Sequence, residues 1–353
     1  MTFSKQDEQY MRRCLQLAEH GRGFTSPNPM VGSVIVHNNK IIGEGWHRKY
    51  GQAHAEVNAV NSVKDKSLLK SSTLYVNLEP CAHVGKTPAC SRMIIDKQIP
   101  KVIVGCRDSY KEVDGKGIAQ MRQAGIDVKV GLMEKECREL NARFFTFHEK
   151  KRPYIILKWA QTTDGYIDFA RTPDTPIGPN WITDEYARIR VHKWRAEEDA
   201  ILVGTNTAEK DNPKLNVRSY AGNNPLRILL DRNLRLPKEL ALFDGSTQTL
   251  IFNEIKSENN PMCEYIKVPS DNNIFDFILK TLYKRDIQSL IIEGGAKLIN
   301  SILERNLWDE ARVFVGDNMF ISGVQAPRIK KYPASIERGT QSNLYFYFNR
   351  SQI

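Results

Sequence analysis

One histidine, two cysteines and one carboxylate constrain this sequence more than any other feature: His54-Ala55-Glu56, then Glu79-Pro80-Cys81, then Cys90. Imidazole and thiolates are the ligands a tetrahedral zinc ion takes, and three of them leave a fourth position open for water. The surrounding pattern says how a chain could bring them together. Residues 53–63 have helical spacing, 73–78 form a β-rich run, and 91–97 are helical again. His54 then falls at a helix start, Cys81 just past a strand and Cys90 beside the next helix. In mid-helix His54 and Glu56 would not share a face, but at a helix start they can converge. Glu56 is then placed to relay protons for a water whose pKa zinc lowers to about 7. Pro80 suits the first turn of a helix, and a helix N-terminus there would favour the Cys81 thiolate.

The other segments extend this alternation. Residues 7–19 carry an apolar helical stripe of Tyr10, Met11, Cys14, Leu15, Leu17 and Ala18. The runs 31–36 and 41–46 flank His37-Asn38-Asn39-Lys40 and predict a hairpin. Strands at 101–104 and 127–130 and a helix at 118–123 complete an α/β layered domain closing near His148. Lys150-Lys151-Arg152-Pro153 marks a boundary, giving domains 1–149 and 150–353. A second α/β unit begins at 154–159. It continues with a helix at 183–195 (Thr183 as N-cap), short buried strands at 200–203, 226–230, 249–252 and 290–292, a helix at 296–304 and a strand at 311–315. The tail beyond Gly316 is mixed, and 256–260 reads as a loop.

The chain has 353 residues and a net charge of +10, which suits phosphorylated small molecules as well as nucleic acid or a membrane surface. Its basic residues are scattered, and the short clusters at 150–152 and 330–331 read as solvated surface. No apolar run is long enough to span a membrane, and the N-terminus lacks a signal-peptide h-region. Six dispersed cysteines show no disulfide framework. A cytoplasmic protein is expected, with Cys14, Cys106, Cys137 and Cys263 as packing thiols.

His-x-Glu followed by Pro-Cys and a further Cys is the signature of zinc deaminases, in which the Glu shuttles protons and does not bind metal. Those acting on nucleic acids or free nucleosides usually space the cysteines three apart; here the step is nine. The runs Pro27-Asn28-Pro29-Met30-Val31-Gly32, Gly43-Glu44-Gly45-Trp46-His47, His54-Ala55-Glu56-Val57 and Leu78-Glu79-Pro80-Cys81-Ala82-His83-Val84-Gly85-Lys86-Thr87-Pro88-Ala89-Cys90 resemble the bifunctional riboflavin-biosynthesis deaminase/reductase family. The resemblance implies a cytidine-deaminase-like three-layer fold, one Zn2+ held by His54, Cys81 and Cys90, and Glu56 as proton shuttle. It also implies that His83, Lys86 and Thr87 help hold a pyrimidine or its ribose phosphate, with Asn28 and His47 as further candidates. A structural zinc site completed by His83 is the plainer alternative.

The second half has no Gly-x-Gly-x-x-Gly. Instead Leu290-Ile291-Ile292-Glu293-Gly294-Gly295-Ala296 puts two glycines between a strand and a helix, a turn that offers backbone N–H groups to phosphate. Further motifs are Lys158-Trp159-Ala160-Gln161-Thr162-Thr163-Asp164-Gly165, Trp181-Ile182-Thr183, Arg195-Ala196-Glu197, Leu202-Val203-Gly204-Thr205-Asn206-Thr207 and Asp211-Asn212-Pro213-Lys214-Leu215-Asn216-Val217-Arg218. They resemble the reductase domain of the same family, which has a dihydrofolate-reductase-like α/β fold and uses NADPH. That resemblance places Ala160, Trp181, Thr207, Asp211 and the stretch Gly295, Ala296, Lys297, Leu298, Ile299, Asn300 and Ser301 around NADPH, and Arg195, Leu215, Arg218 and Glu293 around the substrate. Both arginines can make charge-assisted bonds to a phosphate. Lys158 and Asp211 are candidates for proton handling, although Asp211 before Asn-Pro could simply cap a turn. Arg232, just past a strand, could meet the cofactor's 2′-phosphate. Pro176-Ile177-Gly178-Pro179-Asn180 replaces the family's usual Ser-rich segment before Trp-Ile-Thr, and no functional residue is assigned after Arg312.

The expected activities are zinc-dependent deamination of a phosphorylated diaminopyrimidine and NADPH-dependent reduction of its ribosylamino group, by a homo-oligomer (dimer or tetramer) with no nucleic-acid or membrane partner. Two alternatives remain: a nucleic-acid base deaminase with an appended domain, and a deaminase whose second half is a degenerate scaffold.

Overall fold

Ser4 opens the first helix with a reciprocal capping box: its hydroxyl accepts from the Asp7 N–H, and the Asp7 carboxylate accepts from the Ser4 N–H. The computed structural model describes residues 2–82, 89–110, 113–270 and 273–349. The chain divides into two units, Met1–Lys151 and Arg152–Ile353.

The first unit runs α1 (Lys5–Glu19), β1 (Gly32–His37), β2 (Lys40–Trp46), α2 (Ala55–Ser62), β3 (Thr73–Leu78), α3 (Cys90–Asp96), β4 (Lys101–Cys106), α4 (Lys116–Gln123), β5 (Asp127–Val130), α5 (Glu134–Leu140) and α6 (Ala142–Lys150). The sheet order is β2-β1-β3-β4-β5. β1 is antiparallel to β2 and β3, while β3, β4 and β5 are parallel. Asn38 and Asn39 make the β1–β2 turn with φ of 46° and 61°, the left-handed values a two-residue hairpin loop needs. Leu74 and Val76 pack with Val60, Ile94, Ile118 and Met121 on one side of the sheet. Tyr75 packs with Met11, Cys14, Leu17, Phe144 and Phe145 on the other, which gives three layers. At Gly45 a Cβ would lie 2.3 Å from the Ala59 backbone nitrogen, so its absence lets α2 settle on β2.

The second unit runs β6 (Tyr154–Thr162), β7 (Tyr166–Asp168), α7 (Glu185–Glu197), β8 (Ala200–Gly204), α8 (Thr205–Asp211), β9 (Leu226–Leu230), β10 (Thr249–Asn253), β11 (Cys263–Lys267), α9 (Ile274–Tyr283), β12 (Ser289–Glu293), α10 (Ala296–Glu304), β13 (Glu310–Gly316), β14 (Val324–Gln325), β15 (Ser335–Glu337) and β16 (Ser342–Phe348). Nine strands form one sheet in the order β11-β10-β9-β8-β12-β6-β13-β16-β15, and β14 pairs with β7 apart from it. The strands are parallel from β11 to β13; β16 returns antiparallel along β13. Strands covered on both faces read as continuous apolar runs, as Leu290-Ile291-Ile292 does. Insertion of β12 between β8 and β6 reverses the strand order there, and such a reversal opens a crevice at the carboxyl ends of parallel strands.

Several expectations need correction. Asp184, not Thr183, caps α7, its Oδ1 accepting from the Ala187 N–H at 2.8 Å. No helix starts at Pro80; the helix begins at Cys90. α6 extends through Lys150, with left-handed Lys151 at its end. Arg152 is not loose surface: it grips Asp309 through both guanidinium nitrogens at 2.5 and 2.8 Å. The tail supplies β16 to the main sheet. Helices α8 and α9 and strand β11 were not foreseen. No described helix is long and apolar enough to cross a membrane.

Candidate active sites

His54 is the N-cap of α2, in extended conformation (φ −71°, ψ 165°). That turn projects its Nδ1 to 3.5 Å from Cys81 Sγ and 3.4 Å from Cys90 Sγ. A tetrahedral zinc with bonds near 2.0–2.1 Å to nitrogen and 2.3 Å to sulfur sets those atoms roughly 3.6 Å apart, so the donor set fits the ion. All three ligand atoms lie within 4.8 Å of one another. Helix α3 begins at Cys90, whose N–H donates to Cys81 Sγ at 3.3 Å. Helix support for the Cys81 thiolate therefore comes from α3. The Cys81 thiol is drawn below the usual thiol range, first by the Cys90 thiol and then by His54 and the Cys90 N–H, against the cost of burial.

Glu56 follows His54 in the first turn of α2 and is buried. Burial pushes its carboxyl above the usual range, partly offset by His54. Asn28 and His47 complete this wall. His47 Nδ1 lies 3.1 Å from the Ala53 carbonyl, which can only accept, so Nδ1 carries the proton. Burial keeps His47 neutral, and its Nε2 accepts from Asn28 Nδ2 at 3.2 Å. The His47 ring stands edge-on to His54, with centroids 5.4 Å apart. His83, Lys86 and Thr87 lie outside the described residues.

Glu79 was only a motif letter in the sequence. Its buried carboxylate accepts from the backbone N–H of Asp108 (3.3 Å), Gly115 (3.0 Å) and Ile118 (3.2 Å), tying the Glu79-Pro80-Cys81 segment to the start of α4. Asp108 is also buried, and burial raises its carboxyl to about 7.

In the second unit a cavity of about 1020 Å³ opens at the carboxyl ends of β8, β9 and β12. Its walls contain Lys158, Ala160, Trp181, Arg195, Thr207, Asp211, Leu215, Arg218, Arg232 and Glu293. Gly295, Ala296, Lys297, Leu298 and Ser301 line it as well. Ile299 does not: it is fully buried in the hydrophobic core. Asn300 also falls outside the lining, because α10 shows the cavity one face only. Gly294 has φ +128°, and a Cβ there would meet Thr207 Oγ1 at 2.8 Å, so the turn requires glycine. Thr207 Oγ1 accepts from the Gly295 N–H at 3.0 Å.

Glu293 is the electrostatic centre of this cavity. Arg195 Nη2 lies 2.9 Å and Lys158 Nζ 3.8 Å from its Oε2. Burial lowers the Lys158 ammonium, with Glu293 opposing the shift. Against its own burial, Arg195 and Lys158 keep Glu293 ionised, below the usual carboxyl range. Asp211 ends α8 and pairs with Arg171 at 2.7 Å. Arg171 also holds Asp168 at 2.6 Å and the Gly178 carbonyl at 3.0 Å, pinning the loop before Trp181. Nothing in the sequence pattern singled out Arg171. Arg232 is exposed and pairs with Glu254 at 2.6 Å.

Residues 4–106 match the cytidine and deoxycytidylate deaminase zinc-binding region, and residues 153–327 match the RibD C-terminal domain. The riboflavin biosynthesis protein RibD of Synechocystis sp. is 38% identical, with 91% of this chain and 87% of that one covered. RibD of Aquifex aeolicus is 39% identical, with 90% and 89% covered. A crystal structure of a diaminohydroxyphosphoribosylaminopyrimidine deaminase/5-amino-6-(5-phosphoribosylamino)uracil reductase from Thermotoga maritima superposes with a TM-score of 0.86 at 35% identity, covering 97% of this chain and 98% of that one. RibD of Acinetobacter baumannii gives 0.85 at 31%, covering 98% and 99%. The chain belongs to the RibD family of riboflavin biosynthesis, bifunctional enzymes that join a zinc-binding deaminase domain to an NADPH-dependent reductase domain.

Proposed function

We propose that the first unit deaminates 2,5-diamino-6-ribosylamino-4(3H)-pyrimidinone 5′-phosphate by hydrolysis, and that the second reduces the resulting 5-amino-6-(5-phosphoribosylamino)uracil to its ribitylamino product. The observation that carries the reading is the convergence of His54, Cys81 and Cys90 beside the buried Glu56, in a chain that also holds the Glu293-centred cavity.

Zinc held by His54, Cys81 and Cys90 supplies Lewis acidity that activates water. Glu56 takes the proton from the attacking water on its carboxylate and delivers it to the ring amine, which departs as ammonia. Asn28 and His47, locked in one tautomeric arrangement, position polar groups of the pyrimidine. His83, Lys86 and Thr87 are assigned to the same substrate.

NADPH supplies hydride in the second unit. Ala160, Trp181, Thr207 and the Gly295–Ser301 face of α10 surround the cofactor, with Ile299 and Asn300 left out. Arg195, Leu215, Arg218 and Glu293 face the substrate, and Lys158 holds a transferable proton at Nζ. Asp211 acts through its ion pair with Arg171, which fixes the cavity wall.

Chelating the metal from purified protein should stop ammonia release and leave NADPH-driven reduction of the deaminated intermediate unchanged; added zinc should restore the first activity. Loss of both activities together would argue against separate sites. Arg232→Ala should reduce the preference for NADPH over NADH by roughly tenfold, the size of one charge-assisted hydrogen bond. An unchanged ratio of the two affinities would remove Arg232 from the cofactor site. Fractionation and light scattering are the checks on the cytoplasmic location and the dimeric or tetrameric state that belong to this reading.

A further inference from the structure

Buried polar atoms normally find a partner, so an exception marks a place where one is supplied from outside. Among the described residues, seven buried side-chain polar atoms have none, and five of them belong to residues lining the cavity: Asp168 Oδ1, Asn180 Nδ2, Arg195 Nε, Asp231 Oδ1 and Glu293 Oε1. One wall of this unfinished site is α7. Arg188, His192 and Arg195 stand at i, i+4 and i+7, on one helical face, and all three line the cavity.

Arg188 is held in place by two contacts. Its guanidinium lies over the Trp181 ring, 4.7 Å from the centroid, and Nη1 donates to the Thr183 carbonyl at 3.3 Å. Among the described residues it has no carboxylate partner, and neither has Arg218. Arg218 donates its backbone N–H to His192 Nδ1 and sits close enough to Arg195 and Arg188 to feel both charges. Between them His192 stays neutral; burial first, then Arg195 and Arg218, pushes it down to about 4. Three arginines therefore share one concave wall, while Glu293 neutralises only Arg195. Such a wall asks for an anion carrying more than one negative charge.

We propose that Arg188 is a third arginine of the phosphate pocket, binding the substrate's phosphate monoester together with Arg195 and Arg218. The proposal rests on the reductase reading above. The first turn of α10, where Ala296 and Lys297 line the cavity, suits the cofactor's phosphates, and the α7 wall is left for the second phosphorylated ligand. Stacking on Trp181 holds the guanidinium in place before the ligand arrives, so little side-chain entropy is lost on binding.

The test compares wild type, Arg188→Ala and Arg188→Lys. With the phosphorylated substrate, Arg188→Ala should raise KM by about tenfold or more, the loss of one charge-assisted bond, with kcat within about twofold. The same substrate stripped of its phosphate should be reduced equally well by both proteins. Inorganic phosphate, followed by tryptophan fluorescence, should bind the variant several-fold more weakly than wild type. Arg188→Lys should recover part of the loss. The assignment is overturned if KM is unchanged, if phosphorylated and dephosphorylated substrates suffer alike, or if NADPH affinity falls instead. A wild type that binds phosphate but reduces nothing would sink the functional reading, and the phosphate titration would still decide Arg188.

Discussion

Glu56→Gln is expected to lower ammonia release by about 10²–10⁴-fold, the range attributed to one positioned acid/base. The substitution keeps the size of a buried side chain and removes only its ability to carry a proton. Glu56 is not among the three groups that converge as metal ligands, so zinc content should stay at wild-type level. Reduction of the deaminated intermediate, followed by NADPH consumption, should be unchanged, since every cavity-lining residue belongs to the second unit. A variant that lost its zinc along with its activity would make Glu56 a structural support, and one that kept full activity would end its role as shuttle.

The largest expected loss of stability comes from Arg227→Ala. Arg227 lies on β9 and is fully buried. Its Nε donates to Thr249 Oγ1 at 2.9 Å, and its terminal nitrogens reach the Ala241 carbonyl at 3.0 Å, the Thr247 carbonyl at 2.6 Å and Asp244 at 3.2 Å. A longer bond, 3.4 Å, runs to the Lys214 carbonyl in the segment that leads to Arg218. Truncation leaves those acceptors without donors and opens a hole in the core. Removing one partner from a buried charged network costs about 3–5 kcal/mol. For a unit of this size that lowers its melting transition by about 6–20 °C. Calorimetry of the full chain should show the shift in the transition that also loses NADPH binding, while ammonia release survives at lower temperature. A shift under about 2 °C would show that the carbonyls find other donors. Arg232→Ala, which breaks only an exposed pair, should cost less than about 1 kcal/mol.

The zinc ligands were legible because the metal fixes residue type and number, and local periodicity placed each one on its element. The parallel strands were legible because burial on both faces demands unbroken apolar runs, as at 200–203 and 290–292. Helix ends were not: Thr183 and Asp184 are both good caps, and only backbone geometry chose Asp184. Ile299 and Asn300 were carried along with a stretch of which α10 shows the cavity only one face. Arg171 and Glu79 escaped because partners that define their roles are far off in sequence or are backbone atoms. Asp211 is 40 positions from Arg171, and the α4 amides that bind Glu79 are 36 and 39 positions away. Arg152 looked like part of a solvated cluster, since nothing near it in sequence announces Asp309.

Cys81 is held from two sides, by Glu79 bound to the start of α4 and by the Cys90 N–H bound to its sulfur. The start of α4 is thus mechanically coupled to a metal-binding cysteine, although it contributes no ligand. A change in that backbone reaches the hydrolytic centre through Glu79, some thirty-five positions from the cysteine it moves.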